Sequence, residues 1–427
     1  MSGLIINGKN RLDGEITIQG SKNSCLPMLA ACILIQGDVI IENCPDISDV
    51  REMLKMLQYL GCNIECNDNV LKINSSGCVY KELPYECGHL RGSLNFLGAM
   101  LSAFGKVKMP KPGGCNIGER PIDYHIEGMK ALMTEAFQIE DCLCAKVIAN
   151  KVDGYYCFPT PSLGALENLI LRALSIKGTC IFDNCTLEPE IEDFCDFLIK
   201  SGAKIYGVGT RRIIVVGGHR LTGNKYRIPG DRIVAGTYLL AVAITGGKFR
   251  CKGVVPKRLS ATINYLKKIG IQVFTDCQTN EIIENADQKK AKDSVVITGP
   301  YPEFSTDLQS QMMAFACFNK GNTVIKDLIY PSRYGVASEF RKMGADISVV
   351  NDIAIVRGGK SMKGCRLCAK DLRGGAALVI ASLGSEGSSY VCGCEFINRG
   401  YQDIARDLRA LGADIRWNEE DEESLLI

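Results

Sequence analysis

Five short phrases recur along this chain, each closing a helix-like run on a glycine just before a β-rich stretch. They are LGCNI at Gly61, SGAKI at Gly202, KIGIQV at Gly270, KMGADI at Gly344 and ALGADI at Gly412. The last four glycines lie 68, 74 and 68 residues apart, and the 141 residues between Gly61 and Gly202 leave room for one more unit. EGMKALMTEAFQIE supplies that unit, with the glycine lost. A chain that repeats about 70 residues six times builds one supersecondary motif six times, because each copy buries its apolar face against others like it.

Every unit has the same inner order. A polar start leads an apolar run: SKNSCLPMLAACIL, RGSLNFLGAMLSAF, PSLGALENLILRALS, DRIVAGTYLLAVAI, TDLQSQMMAFACF and DLRGGAALVIASL. A glycine turn and a β-rich run follow, as in GDVIIEN and GTCIFDN. Then come a second helix closing on the glycine phrase and short strands such as RRIIVVGG, SVVITGP and DIAIVRGG. The order is βαβαββ, with glycine as a helix C-cap, so the fold class is α/β. The first helices are apolar nearly all round, which predicts burial within the unit.

Ionisable residues gather at the helix starts. Lys22, Arg91, Arg232, Asp307, Asp371 and Arg373 stand before or at first helices; Arg120, Asp123, Glu188, Glu190, Arg333 and Arg399 stand at second helices. Helix N-termini hold anions through free N–H groups and the dipole. A cation is disfavoured there unless an anion lies between, so arginine repeated at these ends predicts an anion site. Seven cations are too many for one carboxylate; they suit a ligand with carboxylate and phosphate groups, or a nucleotide diphosphate beside a small acid. KPGGCNIGERP, residues 111–121, sets Cys115 between glycine turns and near Arg120, which predicts a thiol on a mobile segment.

Other classes are set aside by composition. A net charge of +2 argues against a nucleic-acid or membrane-surface field. No apolar run approaches the roughly 20 residues of a span, and the start MSGLIINGKNRLDG lacks a secretory core, so a cytoplasmic protein is expected. The 21 cysteines then read as free thiols, mostly small core residues. Cys365 and Cys368 form C-x-x-C, with Cys392 and Cys394 beyond, but GCRLCAK reads as a strand, on which residues three apart face opposite sides. With three scattered histidines, no metal site is expected. Neither a Walker loop nor a dinucleotide fingerprint is present.

On these residues the chain resembles the enolpyruvyl transferases, nearly from end to end. The resemblance rests on GSKN with Lys22 and Asn23, on Arg91, and on PGGCNIGERPIDYH over 112–125. It continues through PSLGALEN over 161–168, EPEI over 188–191 and PGDRIVAGTYL over 229–239. YPEFSTDLQSQ around Asp307, then Arg333, DLR over 371–373 and INRGY around Arg399 complete it.

The resemblance implies a two-lobed inside-out α/β barrel of six βαβαββ repeats, three per lobe, with helices inside and sheets outside. One lobe spans 22–229, carrying repeats 1–3 and Cys115 on a lid; the other takes 1–21 plus 230–427 and repeats 4–6. The site would lie in the cleft. There the enolpyruvyl group of phosphoenolpyruvate passes to the 3-hydroxyl of UDP-N-acetylglucosamine, phosphate leaves, and no cofactor or metal takes part. By the same resemblance Cys115 donates a proton and Asp307 accepts one. Lys22, Arg120 and Arg399 meet the phosphate, Arg373 and Arg399 the carboxylate, and Asn23 bounds that pocket with Lys22. The nucleotide sugar falls to Arg91, Arg120, Pro121, Ile122, Asp123, Tyr124, His125, Ser162, Leu163, Gly164, Asp307 and Ile329. Arg232, Arg333, Asp371 and Glu190 support them. The partners are these two small molecules, with neither nucleic acid nor membrane.

Leu166, Leu187 and Asn398 depart from the usual family phrases, as do Gly92 and Asn95 after Arg91. They leave two alternatives open: an enolpyruvyl transferase with a different hydroxyl acceptor, and an idle paralogue that binds nucleotide sugars.

Overall fold

The computed structural model describes residues 3–113, 121–287 and 292–418. Six first helices run Lys22–Ala31, Phe96–Phe104, Leu163–Ala173, Arg232–Thr245, Gln309–Phe318 and Leu372–Gly384. Each is followed by a second helix: Ser48–Leu60, Asp123–Ala131, Pro189–Lys200, Ser260–Lys268, Ala337–Lys342 and Ile404–Ala410. The first helices are the buried ones. Leu372–Gly384 is buried at every position and Arg232–Thr245 at all but its last, so their uniform apolar character answers to contacts on all sides.

All five glycines of the repeated phrase are left-handed, with φ of 106° at Gly61, 104° at Gly202, 90° at Gly270, 98° at Gly344 and 97° at Gly412. This is the conformation that ends a helix and turns the chain into the next strand. In the second repeat the same place falls to Met133, with φ of 49°. A side chain in that region costs roughly 1–2 kcal/mol. Met133 is exposed, so little packing is at stake. Met133→Gly is therefore expected to stabilise the protein by about 1 kcal/mol, less the extra entropy that glycine loses on folding. Chemical denaturation reads this directly, and an unchanged or lowered midpoint would show that any strain relieved at the turn does not exceed the entropy glycine loses.

Among the described residues five repeats carry a four-stranded sheet; the second carries three strands, Lys106–Pro110, Cys142–Val147 and Thr134–Ile139, all antiparallel, so the leading strand expected of a βαβαββ unit is missing there. In the third repeat the order is Gly154–Cys157, Thr179–Asp183, Arg212–Val216, Lys204–Tyr206, the first pair parallel and the others antiparallel. The fifth repeat has the same pattern in Ser294–Thr298, Asn322–Asp327, Ile353–Arg357 and Asp346–Val350. Among the described residues, three of the four-stranded sheets take a strand from distant sequence. Lys225–Arg227 runs parallel to Asp38–Glu42 as first strand of repeat 1, and Gly14–Thr17 does the same beside Lys248–Lys252 in repeat 4. Gly3–Asn7 sits between Ser388–Cys392 and Asp414–Asn418 and completes repeat 6.

These borrowed strands explain how the chain divides. Residues 20–113 and 121–229 form one compact unit, and residues up to 19 with those from 230 onward form the other. Each unit has its own apolar core. In the first, the Phe96–Phe104 and Leu163–Ala173 helices meet at Gly98, whose N–H donates to Asn168 Oδ1 at 2.7 Å. A Cβ on Gly98 would lie 2.2 Å from the Asn168 carbonyl, so only glycine permits this approach. Among the described residues no helix is long and apolar enough to cross a membrane, and no three His, Cys, Asp or Glu are grouped to hold a metal.

Candidate active site

In the unit that contains residues 230 onward, three first-helix N-termini carry the charged residues. Asp231 caps Arg232–Thr245 by accepting from the N–H groups of Ile233 and Val234; Asp371 caps Leu372–Gly384 by accepting from Arg373 and Gly374. Capping brings Arg373 into the first turn. Asp307 lies in the turn Thr306–Leu308 that opens the third helix.

Asp307 is held by two guanidinium groups. Arg333 Nη1 donates to its Oδ1 at 2.9 Å and Arg373 Nη2 to its Oδ2 at 2.8 Å. Burial would raise the carboxyl's pKa, but Arg373 and then Arg333 override it and hold it well below the usual range. The two arginines are not equivalent. Arg333 Nη1 also reaches the Thr306 carbonyl at 2.7 Å and Thr306 Oγ1 at 3.0 Å. Thr306 gives its own hydroxyl proton to Asp327 Oδ2 at 2.7 Å, so its oxygen is left to accept from Arg333. Asp327 Oδ1 accepts from Thr298 Oγ1 and from the N–H groups of Ile329 and Tyr330, which fixes the turn that carries Ile329 and Arg333. Arg373 has no such anchoring by Thr306. Its side chain is 4% exposed, and Nη1 is buried without a partner among the described residues. A buried, unsatisfied cationic N–H beside the partly exposed Asp307 is suited to an incoming anion.

Arg399 is partly buried in the turn after the short helix Cys394–Ile397. Gln19 pins that turn, donating to the Gly400 carbonyl at 3.1 Å and accepting from Gln402 N–H at 2.8 Å. Tyr401 is fully buried, and its hydroxyl joins Thr237 Oγ1 at 2.8 Å and accepts from Gln311 Nε2 at 3.4 Å. Arg232 lies over the Tyr301 ring, 5.7 Å from its centre.

The other unit gathers a second set. Lys22 opens its helix and pairs with Asp49 Oδ2 at 2.5 Å, both nearly buried, and Asn23 follows it partly buried. Arg91 donates to the Pro121 carbonyl at 3.1 Å. Ile122 precedes the helix opened by Asp123, and that helix carries Tyr124 and His125. Buried His125 accepts at Nδ1 from Asn168 at 3.2 Å, an amide being able only to donate there, which leaves the ring proton on Nε2. Burial, and then the charge of Arg91, push its pKa down to about 3, so the ring is neutral. Gly164, whose Cβ would lie 3.8 Å from His125 Nε2, follows Ser162 and Leu163 at the start of Leu163–Ala173.

The departures Gly92 and Asn95 have a physical reason. A Cβ on Gly92 would lie 2.8 Å from Leu26 Cδ1, so a larger residue in the turn after Arg91 would have to push that side chain of the Lys22 helix aside. Buried Asn95 hydrogen-bonds Glu167, itself buried. Burial pushes the Glu167 carboxyl up to about 8, against the Asn95 bond and with help from Glu190. The raised folded pKa means that the proton stabilises the fold. This contribution is complete below the unfolded carboxyl's pKa and is lost as pH rises through about 8. Glu167→Gln is expected to remove the decline, leaving a flatter stability profile across that range; an unchanged slope by denaturation would exclude Glu167 as its source. Leu166 is fully buried in the apolar core, where a hydroxyl would need a partner.

The structure thus joins Asp307, Arg333 and Arg373 directly in one unit, and Arg91 with Pro121 and His125 with Gly164 in the other. Cys115 and Arg120 lie outside the described residues. Arg333 and Arg399 are not at second-helix starts; those helices begin at Ala337 and Ile404, and both arginines sit in the preceding turns. A tight turn aims a side chain as firmly as a helix end does, but leaves no periodic signal. Sequence reasoning missed Asp49, Thr306, Asp327, Gln19 and Asn168. Of these, Asn168 and Thr306 lie inside the motifs PSLGALEN and YPEFSTDLQSQ; the others are single polar residues marked by no spacing.

The chain is similar to known proteins over nearly its whole length. A family model described as EPSP synthase (3-phosphoshikimate 1-carboxyvinyltransferase) matches residues 6–408. A UDP-N-acetylglucosamine 1-carboxyvinyltransferase from Kosmotoga olearia is 38% identical over 97% of this chain and 99% of its own. UDP-N-acetylglucosamine 1-carboxyvinyltransferase 2 of Caldanaerobacter subterraneus subsp. tengcongensis is 38% identical over 96% and 98%. In structure the chain is similar to the enolpyruvyl transferase NikO from Streptomyces tendae, with a TM-score of 0.88, 23% identity, and coverage of 98% and 99%.

Proposed function

Because this chain belongs to the EPSP synthase (3-phosphoshikimate 1-carboxyvinyltransferase) family, we propose that it transfers the enolpyruvyl group of phosphoenolpyruvate to the 3-hydroxyl of UDP-N-acetylglucosamine, releasing phosphate. Such a product would feed peptidoglycan precursor synthesis. The acceptor is taken from relatives that carry that name at 38% identity over nearly the whole chain. The observation that carries the chemistry is Asp307, a partly exposed carboxylate between Arg333 and Arg373, the latter with a spare buried N–H.

In this reading the sugar hydroxyl gives its proton to Asp307 as its oxygen bonds to C2 of phosphoenolpyruvate. The CH2 carbon takes a proton from Cys115, forming a tetrahedral adduct. Phosphate then leaves and the new methyl loses a proton, restoring the double bond. Lys22, Arg120 and Arg399 take the phosphate, with Asn23 beside them, and Arg373 and Arg399 take the carboxylate. Arg91, Pro121 to His125, Ser162 to Gly164 and Ile329 take the nucleotide sugar, and neutral His125 offers it an Nε2–H donor. Arg232, Arg333, Asp371 and Glu190 hold these groups in place. The reaction draws on no cofactor or metal, and its small-molecule substrates are those of a cytoplasmic enzyme.

The test is phosphate release from phosphoenolpyruvate with UDP-N-acetylglucosamine, with the product mass read in parallel. Release with a matching mass gain on the sugar nucleotide supports the proposal. No release from folded protein that binds phosphoenolpyruvate moves the acceptor to another hydroxyl, 3-phosphoshikimate and other sugar nucleotides being tried next. No release with any acceptor leaves the idle paralogue.

A further inference from the structure

The first repeat contains a pair of thiols that the transferase chemistry does not use. Cys62 follows Gly61, the left-handed residue that ends the helix Ser48–Leu60; Cys78 follows Gly77 in the turn after the strand Val70–Asn74. Their sulfurs are 3.0 Å apart. A disulfide needs about 2.05 Å, so a shift of about 1 Å would join them.

The backbone holds them there. A Cβ on Gly61 would lie 2.4 Å from the Gly77 carbonyl oxygen, and one on Gly77 would lie 2.8 Å from the Gly61 carbonyl oxygen. The two turns therefore touch through glycines, each just ahead of a cysteine. Val79 N–H donates to the Leu60 carbonyl at 2.9 Å across the same contact. Within the turns, Cys62 N–H donates to Leu57 at 3.0 Å and Cys78 N–H to Ser75 at 2.9 Å.

The two sulfurs have different surroundings. Cys62 is buried and Cys78 is partly exposed. The Cys62 thiol can donate to Cys78, and Lys81 lies near enough to favour the Cys78 thiolate as well. Lys81 is itself held by the Tyr59 carbonyl at 2.5 Å, with its ammonium over the Tyr59 ring. Cys25 and Cys44 make a useful contrast. Their sulfurs are 3.5 Å apart, but both are buried, so an oxidant in solution has no ready access.

We propose that Cys62 and Cys78 are a redox-active dithiol, closed to a disulfide by hydroperoxides and reopened by thiols. The Cys78 thiolate attacks the peroxide, which splits its O–O bond, leaves a sulfenic acid on Cys78 and releases hydroxide. The Cys62 thiol then attacks that sulfur. The S–S bond forms, the S–O bond breaks, and the oxygen leaves as water with the thiol proton. Two thiols and one hydrogen peroxide give one disulfide and two waters. The bond would tie the end of Ser48–Leu60 to the hairpin Asn63–Asn67 and Val70–Asn74.

The test uses the full-length, fully reduced chain. It is treated with a small excess of hydrogen peroxide, blocked with N-ethylmaleimide and digested without reduction for peptide mass analysis. A peptide pair joining Cys62 to Cys78, lighter by two hydrogens and separated by dithiothreitol, is the expected result. Cys62→Ser should leave Cys78 as a sulfenic acid that dimedone captures, at least tenfold above the parent. Recovery of parent Cys78 as the maleimide or dimedone adduct, or joined to another cysteine, would overturn the proposal. Because the main readout is the parent protein, a variant that fails to fold leaves the test intact, and the result is independent of transferase activity.

Discussion

Asp307→Asn is expected to slow phosphate release by a factor of about 10²–10⁴, the usual cost of removing a positioned general base. The amide keeps the shape of the carboxylate but cannot take the sugar's proton. The variant also leaves Arg333 and Arg373 without a counter-charge, so its melting curve must be read beside its rate. Folded protein with an unchanged rate would remove Asp307 from the chemistry.

The resting carboxylate is a poor base because two guanidinium groups hold its pKa down. If a substrate carboxylate draws Arg373 away, one of the two charges leaves and basicity returns. The companion variant Arg373→Gln makes that change permanently. In the parent, Asp307 stays ionised through and below the normal carboxylate range, so it sets no acid limb in kcat/KM above about pH 4. Arg373→Gln is expected to raise that pKa and bring an acid limb into view, along with a higher KM for phosphoenolpyruvate. An unchanged profile with a higher KM would leave Arg373 as a binding group alone. The linkage to stability has the opposite sign from that of Glu167. A depressed folded pKa contributes stability above the ordinary carboxylate range and loses it as pH falls towards the folded value.

The second large effect is on folding. Arg172 is fully buried, and burial pulls its pKa down to about 10, so it is still charged at neutral pH. Its guanidinium donates to Thr134 Oγ1 at 3.1 Å, Ser175 Oγ at 2.8 Å, the Leu132 carbonyl at 3.4 Å and the Ala149 carbonyl at 3.0 Å. One side chain on Leu163–Ala173 thereby ties down the end of Asp123–Ala131 and the strand that follows it. Arg172→Leu relieves the buried charge but leaves these acceptors facing an apolar side chain. The expected loss is about 2–4 kcal/mol, since each buried polar group left unpaired costs roughly 1–3 kcal/mol and the relief is only partial. Calorimetry and denaturant titration read it. Because Asp123–Ala131 carries Tyr124 and His125, KM for the nucleotide sugar should rise more than kcat falls. A loss under about 0.5 kcal/mol would mean that water or rearranged backbone satisfies these carbonyls.

Much of the framework was legible because its causes are local. A glycine that must be left-handed acts within one turn of the helix it ends, so five such glycines marked five repeats. The sixth, where Met133 takes the conformation, was found only by its spacing. The cations at Lys22 and Arg232 were legible in the same way, since helix starts are set by the few residues around them.

Pairing was not legible. Asp307 meets residues 26 and 66 positions away, and no periodicity relates those separations. Gly3–Asn7 completes a sheet with residues near 390 and 415, a choice made by which edge strand lacked a neighbour. Glu167 keeps a proton to a pH of about 8 because the core around it excludes water, whereas its sequence neighbours would permit an ordinary surface carboxylate. The sequence by itself determined the repeat, its helix ends and the types of residue available for chemistry, since all three follow from interactions a few residues long. Only the tertiary structure decided which charge faces which, which strand closes which sheet and which acid is neutral. Those outcomes depend on burial and on contacts between residues tens to hundreds of positions apart, which chain order leaves open.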